Sequence, residues 1–326
     1  METGRRRSAT TNLDYLVRRL RLRHFELLVA LARAGTMRGA AEQLSLSQPA
    51  ISKMLAEAED AFGARLFERS RRGVAANAYG VAAVHHALLV LGELSRATDE
   101  LDAMRTGAAA MLRIGTLSVT AAVPAAIVEL HARMPKTAVQ IREGRVQELM
   151  QRLLEGELDC VFGAITPEIL AGESLRSLQS EVLLEDRLSV LASAANRRAR
   201  RRLRWHDLHA ERWVAPPPQT LVRQAFMTAF MNQGLEPPVP VIEAMSSVTV
   251  GTVLRMDPSL LCAVRDEHAR DEIARGGVRR VSVAPSIPLP PLCLFTRRSD
   301  FAPPLVVREF ARALRKAAGA RAPATA

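Results

Sequence analysis

The stretch "AAEQLSLSQPAISKMLAEAEDAFG", residues 40 to 63, constrains the fold most, because apolar residues at helical spacing flank a polar break that no helix interior would hold. Upstream, "LRHFELLVALARAG" places Leu22, Phe25, Leu28, Val29 and Ala32 on one helical face and offers Gly35 as a stop. Thr36 can cap a second helix, "MRGAAEQL", that buries Ala40, Ala41 and Leu44, with Leu46 filling the following turn. Ser47 caps a third. Pro49 is tolerated in its first turn, where a missing N–H would have had no partner, and Ile51, Leu55, Ala58 and Phe62 carry the apolar stripe to Gly63. The break is therefore a tight turn between helices, leaving Ser47, Gln48, Ser52 and Lys53 as an outward polar edge at a helix N-terminus. Such side chains can bond base edges and phosphates in a major groove, while a plain helical hairpin would merely solvate them. Next, "LFERSRRGVAANAYG" reads as a strand, a tip at Arg71, Arg72 and Gly73, and a returning strand, a basic hairpin able to reach minor-groove phosphates.

Residues 20 to 80 resemble the winged helix-turn-helix of LysR-type transcriptional regulators. The matching residues are Phe25, Ala40, Ala41, Leu44, "SQPAIS" at 47 to 52, Glu59, Gly63, "LFERS" at 66 to 70, and Gly80. The resemblance implies operator contacts from Thr36, Arg38, Ser47, Gln48, Pro49, Ser52 and Lys53, and wing contacts from Arg69, Arg71 and Arg72. The chain departs from the family pattern at Thr36-Met37, Ala58-Glu59 and Asn77-Ala78-Tyr79-Gly80, yet Thr36 and Asn77 retain the capacity to cap their helices.

The charge balance fits a phosphate-bearing partner. The formal net charge is +11, carried almost wholly by arginine, since lysine occurs only at Lys53, Lys136 and Lys316. Codon bias in a GC-rich genome would give the same sum, so position has to decide. The 326 residues, 48% of them hydrophobic, are enough for two or three units. Cys160, Cys262 and Cys293 are scattered and without metal-ligand spacing, which argues against a disulfide framework or a zinc site and for a reducing cytoplasm. The N-terminal "METGRRRSATTNLDYLVRRLRLRHF" is basic without an apolar core or cleavage site, and no uncharged stretch is long enough to span a bilayer, so neither export nor membrane insertion is expected.

After Asn77, Val81, Val84, Leu88 and Leu91 recur at three- and four-residue steps, a coiled-coil-like seam expected to run to Gly107. In LysR-type proteins the corresponding helix links two chains. From residue 112 strands and helices alternate: "MLRIGTL", "AVPAAIVELHARM", "AVQIREG", "RVQELMQRLLEGE" and "LDCVFGAI". Ligands of such sheets sit beyond the carboxyl ends of the strands, which here carry Ser118, Thr120, Glu143, Gly163 and Thr166. A second run, "RLSVLAS", "RWVAPPPQTLVRQAFMTAFMNQG", "VPVIEAMSSVTVGTVLRM" and "SLLCAVRDE", supplies Pro217, Thr220, Ser247 and Arg265 at equivalent ends. Two half-domains facing across a cleft are expected. The terminal strand "PLCLFTRRS" and helix "PPLVVREFARALRKA" return to the first half, as in the family's periplasmic-binding-protein-like sensor.

An enzyme is the rival class, but Cys160 lies in an apolar strand, His206 and His209 read as surface histidines, His85 and His86 point to different faces, and no Gly-rich phosphate loop, HExxH or GxSxG motif occurs. A third reading is a ligand sensor that does not bind DNA specifically. The expectation is a basic extension at 1–19, a winged helix-turn-helix at 20–77, a linker and dimerisation helix at 78–107, and an α/β effector domain at 110–326. Its half-domains are 110–184 with 288–326, and 185–287. The chain reads as a non-enzymatic, cytoplasmic regulator with no cofactor or metal, binding double-stranded DNA and a small anionic or polyhydroxylated effector, dimeric through the linker and tetrameric by resemblance. "WVAPPPQTLVRQAF", "IREG" and "GELDCVFG" are similar to the subgroup regulating sugar-binding-protein and protocatechuate-pathway genes, which points to a sugar, sugar acid or aromatic acid.

Overall fold

Helix termini in the N-terminal region fall where the capping residues stand. In the computed structural model, which describes residues 13–70, 73–105, 107–117, 122–166, 177–200, 202–299 and 302–319, a short α1 (Leu13–Arg19) precedes α2 (Leu22–Ala34), α3 (Met37–Leu44) and α4 (Gln48–Phe62). Thr36 Oγ1 accepts from the Gly39 N–H at 3.0 Å and Ser47 Oγ from the Ala50 N–H at 3.4 Å, while Gly35 and Gly63 close α2 and α4 with left-handed backbone. Leu27, Leu31, Ala40, Ile51, Leu55 and Ala58 form the shared core. Leu22 and Ala32, expected to face inward, are exposed instead. The buried face of α2 is rotated to begin at His24, whose Nδ1 accepts from the Arg21 N–H at 3.0 Å and whose Nε2 donates to Glu57 at 3.3 Å.

Strands β1 (Phe67–Ser70) and β2 (Gly73–Ala76) pair antiparallel as the wing. Glu59 Oε1 accepts from the Leu66 and Phe67 N–H groups at 2.8 and 3.2 Å, which ties the wing to α4. The Val74 N–H donates to the Gly35 carbonyl at 2.8 Å, and a Cβ on Gly73 would lie 2.4 Å from that oxygen, so only glycine permits the approach. Asn77 then caps α5 (Ala78–Arg105), accepting from the Gly80 N–H at 2.9 Å and donating to the Arg65 carbonyl at 2.8 Å.

The linker helix corrects one expectation. Ala83 and Ala87 are buried, and Val84, Leu88 and Leu91 are half-buried against the helix-turn-helix core of the same chain, so they do not form a free seam with Val81. The outward apolar stripe is Val90, Leu94 and Leu101, three positions around the helix. By length and composition alone α5 could cross a membrane. Its Gly80, Ala83 and Ala87 face instead packs on protein, and its C-terminal half carries Glu93, Arg96, Asp99 and Asp102.

The chain divides into two compact units, Met1–Asp102 with Leu154–Glu157, and the remainder. The second unit is a sheet with strand order β4-β3-β5-β12-β6-β10-β8-β9, with β11 paired to β6 and β7 to β11. Its first half holds β3 (Ala110–Thr116), α6 (Ala122–Arg133), β4 (Thr137–Glu143), α7 (Val146–Leu154) and β5 (Cys160–Ala164), all close to the boundaries expected from the apolar runs. β6 (Leu178–Ser193) is longer than expected: residues 178–187 pair with β12 (Pro288–Arg297), and residues 188–193 pair with β10 (Leu260–Arg265) and β11 (Val278–Ala284). β7 (Arg202–Arg204), β8 (Arg212–Ala215), α8 (Leu221–Met231), β9 (Ile242–Glu243), α9 (Ser247–Met256) and α10 (Asp266–Ala274) complete the second half, and α11 (Leu305–Gly319) packs against α6 in the first. Sequence reading missed β7, β11 and α10. "SLLCAVRDE" is a strand only to Arg265, where Asp266 and Glu267 open a helix in the acidic first turn that suits its dipole.

Apolar cores fill both halves. Leu112, Ile114, Phe162, Leu294 and Phe310 anchor the first. In the second, Trp205, Trp213, Phe226 and Phe230 meet edge to face with centroids 4.8 to 5.9 Å apart, and the two indoles donate to the Pro285 and Leu208 carbonyls. Cys160, Cys262 and Cys293 are buried and unpaired.

A Cβ on Gly80 would lie 2.0 Å from the Leu66 carbonyl oxygen, backbone that Glu59 and Asn77 already hold. Gly80→Ala should therefore destabilise the N-terminal unit by about 1–3 kcal/mol through overpacking, read as a lower urea midpoint with unchanged slope.

Candidate nucleic-acid interface and effector cleft

The first turn of α4 presents Gln48 and Pro49, both exposed, with Ser47 at the cap, Lys53 one turn on, and Ser52 half-buried beside them. These side chains stand on a helix whose opposite face, Ile51, Leu55 and Ala58, is locked in the core. Gln48 has an amide able to bond a base edge in two places, and Lys53, 4.0 Å from Glu57, projects a cation. Arg69 on β1 donates to Ser52 Oγ at 3.2 Å, so the wing and the reading helix share a polar contact. Thr36 caps α3, and Arg38 is exposed and held by Glu42 at 2.9 Å. Arg71 and Arg72, the expected wing-tip contacts, lie outside the described residues. His24 was missed, and its signal was modest: a histidine where the α2 periodicity calls for an apolar residue.

The register of the second unit shows where its strand ends point. Ala164, which ends β5, pairs with Leu292; Arg265, which ends β10, pairs with Leu188; and Leu289 pairs with Asp186 between them. The carboxyl ends of β5 and β10, with the strands parallel to each, therefore converge on the segment where β6 and β12 pass from one half to the other. In an open α/β sheet such a convergence of strand carboxyl ends is where a ligand cleft is expected.

The candidate effector residues are unevenly placed there. Ser118 and Thr120 lie outside the described residues. Glu143 is exposed at the end of β4, Gly163 is buried within β5, and Thr166 is buried just beyond it. Thr220 Oγ1 donates to the Pro217 carbonyl at 2.9 Å and accepts from the Arg223 N–H at 3.2 Å, so its proton is committed to the cap of α8. Ser247 is the first residue of α9, and Ser246 is the one that caps it. Arg265 needs a correction. Its guanidinium is buried and paired with Asp186, which leaves it a structural ion rather than an open ligand contact.

Arg223 was missed. It lies in the first turn of α8, where a cation opposes the helix dipole, and that misfit in "TLVRQAF" was the available signal. Its Nη1 donates to the Pro216 carbonyl at 3.4 Å, while its Nε is buried with no hydrogen-bond partner. A buried guanidinium N–H without an acceptor is costly unless a ligand supplies one.

Around Arg265 the ionic groups perturb one another. Burial pushes the Asp186 carboxyl up, against the opposing pull of Arg265 and the Arg187 and Asp266 N–H groups. Burial also acts upward on Asp266, but the Ser189 hydroxyl and Arg280, Arg270 and Arg187 prevail and hold it below the usual carboxylate range. His268 is pushed down to about 4 by burial and by Arg265. Among the described residues no group of three or more His, Cys, Asp or Glu is placed to hold a metal ion. His209 donates to the Glu236 carbonyl at 2.9 Å, and Asp207 accepts from the Arg204 N–H at 2.8 Å, both structural contacts.

Residues 22–81 match the family described as bacterial regulatory helix-turn-helix protein, lysR family, and residues 105–319 match the LysR substrate binding domain. The chain belongs to the LysR family. It is 31% identical over 240 residues to the HTH-type transcriptional regulator GbpR of Azospirillum brasilense, covering 72% of this chain and 68% of that one. It is 28% identical over 315 residues to the regulator PcaQ of Agrobacterium fabrum, covering 92% and 96%. Among solved structures, full-length OxyR of Pseudomonas aeruginosa, as a cysteine variant, superposes with a TM-score of 0.58 at 22% identity, covering 91% and 95%. CbnR, a LysR family transcriptional regulator, superposes with a TM-score of 0.52 at 19% identity, covering 92% and 99%. The chain is a DNA-binding transcriptional regulator with an effector-binding domain, and the reading as a sensor or enzyme without specific DNA binding is not favoured.

Gln48→Ala should lose about 1–3 kcal/mol of binding on the operator in the chain's own upstream region and far less on random duplex, as fluorescence anisotropy would show. Equal losses on both would remove Gln48 from base reading. A second expectation concerns pH. The imidazole of His268 is held neutral by folding, so between pH 6.5 and about 4 the unfolded chain binds a proton that the folded chain refuses. Stability is intact above that window and declines as pH falls through it, and His268→Gln should flatten the decline in melting temperature between about pH 7 and about pH 5.

Proposed function

We propose that the regulator reads its operator through Gln48, Ser52 and Lys53, with Thr36, Arg38, Ser47, Pro49 and Arg69 positioning the duplex. On this reading a small carboxylate-bearing effector, a sugar acid or an aromatic acid, binds in the cleft of residues 110–326. The observation that carries the effector class is the buried, unpartnered Nε of Arg223, beside the capped start of α8 and next to strand ends that face the cleft. A carboxylate satisfies a guanidinium edge where a neutral sugar hydroxyl does so more weakly. Thr166 and Glu143 would contribute from the opposite half, with Gly163, Pro217 and Ser247 as further candidates; Ser118 and Thr120, the candidates after β3, lie outside the described residues. A ligand that binds the closed cleft more tightly than the open one would shift the sensor's equilibrium and thereby DNA occupancy.

Operator binding belongs to an oligomer on this proposal. LysR regulators oligomerise, and the exposed stripe Val90, Leu94 and Leu101 on α5 is the apolar surface through which a second linker helix would pair, with sensor contacts completing a tetramer. Such a protein acts in the cytoplasm, where its DNA is.

A thermal-shift screen of sugars, sugar acids and aromatic acids against the full chain tests the effector class. An acid should raise the melting temperature, and Arg223→Gln should weaken that response about tenfold or more in half-maximal concentration without lowering the melting temperature of the free protein. Stabilisation by neutral sugars alone would overturn the carboxylate assignment. Leu94→Glu should sediment as a smaller species with weaker operator binding, because it sets a charge in the apolar stripe. Unchanged sedimentation would exclude this face.

A further inference from the structure

The sequence "NRRARRRLR", residues 196 to 204, holds six arginines in the eight positions from Arg197 to Arg204, far from the helix-turn-helix in the chain. In β7 the alternation is strict: Leu203 is buried, and Arg202 and Arg204 are exposed. Its parallel partner β11 sets Ser282 and Ala284 opposite these two arginines, on the same face, while Arg279 stands on the other face of β11 with Val281 and Val283. The 3-10 turn Arg197–Arg200 packs against β11 and exposes Arg197. Nearby cations are neutralised: Arg198 by Glu211 and Arg280 by Asp266, each at 2.6 Å. Among the described residues, by contrast, no carboxylate pairs with Arg197, Arg202 or Arg204.

We propose that Arg197, Arg202 and Arg204 form a second DNA-backbone surface on the sensor, separate from the helix-turn-helix. The inference rests on the reading of the chain as a DNA-binding regulator. Three unpaired guanidinium groups on adjoining elements repel one another in the absence of an anion, and a phosphate backbone relieves that repulsion by releasing counterions. The identity of the partner follows from what the surface lacks. No large apolar side chain is exposed among the described residues of 194–214 or 277–285, so the aromatic and aliphatic anchors of a protein interface are missing, whereas phosphate contacts need only cations.

The test uses the full chain and a mixed-sequence duplex of about 60 base pairs, with affinity measured between about 50 and 200 mM salt. Replacing Arg197, Arg202 and Arg204 with Gln should make the logarithmic salt slope shallower by about two units or more and weaken binding at least tenfold at the lower salt. The matching Arg→Lys variant should keep most of the slope, which distinguishes charge from misfolding. Lys53→Gln reports on the helix-turn-helix independently. An unchanged slope in the triple Gln variant, with a deficit in Lys53→Gln, overturns this surface alone. A wild-type chain that fails to bind the duplex overturns the DNA-binding reading as well. Loss of binding to polyglutamate with DNA binding intact would assign the surface to an acidic polypeptide and overturn the proposal.

Discussion

Strand β6 joins the two halves of the sensor's sheet, and the sensor hangs on the point where its partners change from β12 to β10 and β11. There Asp186 is buried, so its charge is disfavoured, and Arg265 and the Asp266 N–H are what make an ionised carboxylate tolerable. Removing one member would strand the other charge in a low-dielectric interior, at a cost of about 3–5 kcal/mol, whereas replacing both with apolar residues could be neutral. The pair thus marks a fixed position more than it adds net stability. Because β10 begins its pairing with β6 next to this site and β12 crosses alongside, the strand ends that frame the cleft inherit their spacing from it.

The N-terminal unit reaches rigidity differently, with side chains bonding to backbone at each joint. Glu59 holds the start of the wing, Asn77 joins α5 to the loop before β1, and Gly73 lets β2 touch the end of α2. Each is a short polar link between elements whose apolar contacts alone would permit sliding. A reading head needs this, since bidentate contacts to bases tolerate little misplacement. The α8 helix of the sensor is fixed instead by an aromatic cluster, Trp213, Phe226 and Phe230, whose two phenylalanines follow Arg223 at i+3 and i+7 and so hold the side of the helix that carries it.

Legibility followed locality. Thr36, Ser47, Gly35, Gly63 and Asn77 act within a few residues of where they stand, and their roles could be read from spacing alone. The strands of the first sensor half were likewise visible as apolar runs. What sequence could not show was which partner an amphipathic face would meet. The α5 periodicity was real, but Val84, Leu88 and Leu91 serve their own chain's core, and the outward stripe is a neighbouring set. Arg265 looked like a strand-end ligand because nothing local reveals Asp186, 79 residues away. β7 escaped notice because a three-residue strand of two arginines and a leucine carries almost no pattern.

The three thiols make the sensor a record of its own opening. Burial pushes Cys160 and Cys262 well above the usual thiol range and Cys293 up to about 11, so none offers a reactive thiolate while the fold is closed. Cys160 lies on β5 in one half and Cys262 on β10 in the other. Alkylation by a small electrophile would therefore run as a clock set by local unfolding, with each half keeping separate time.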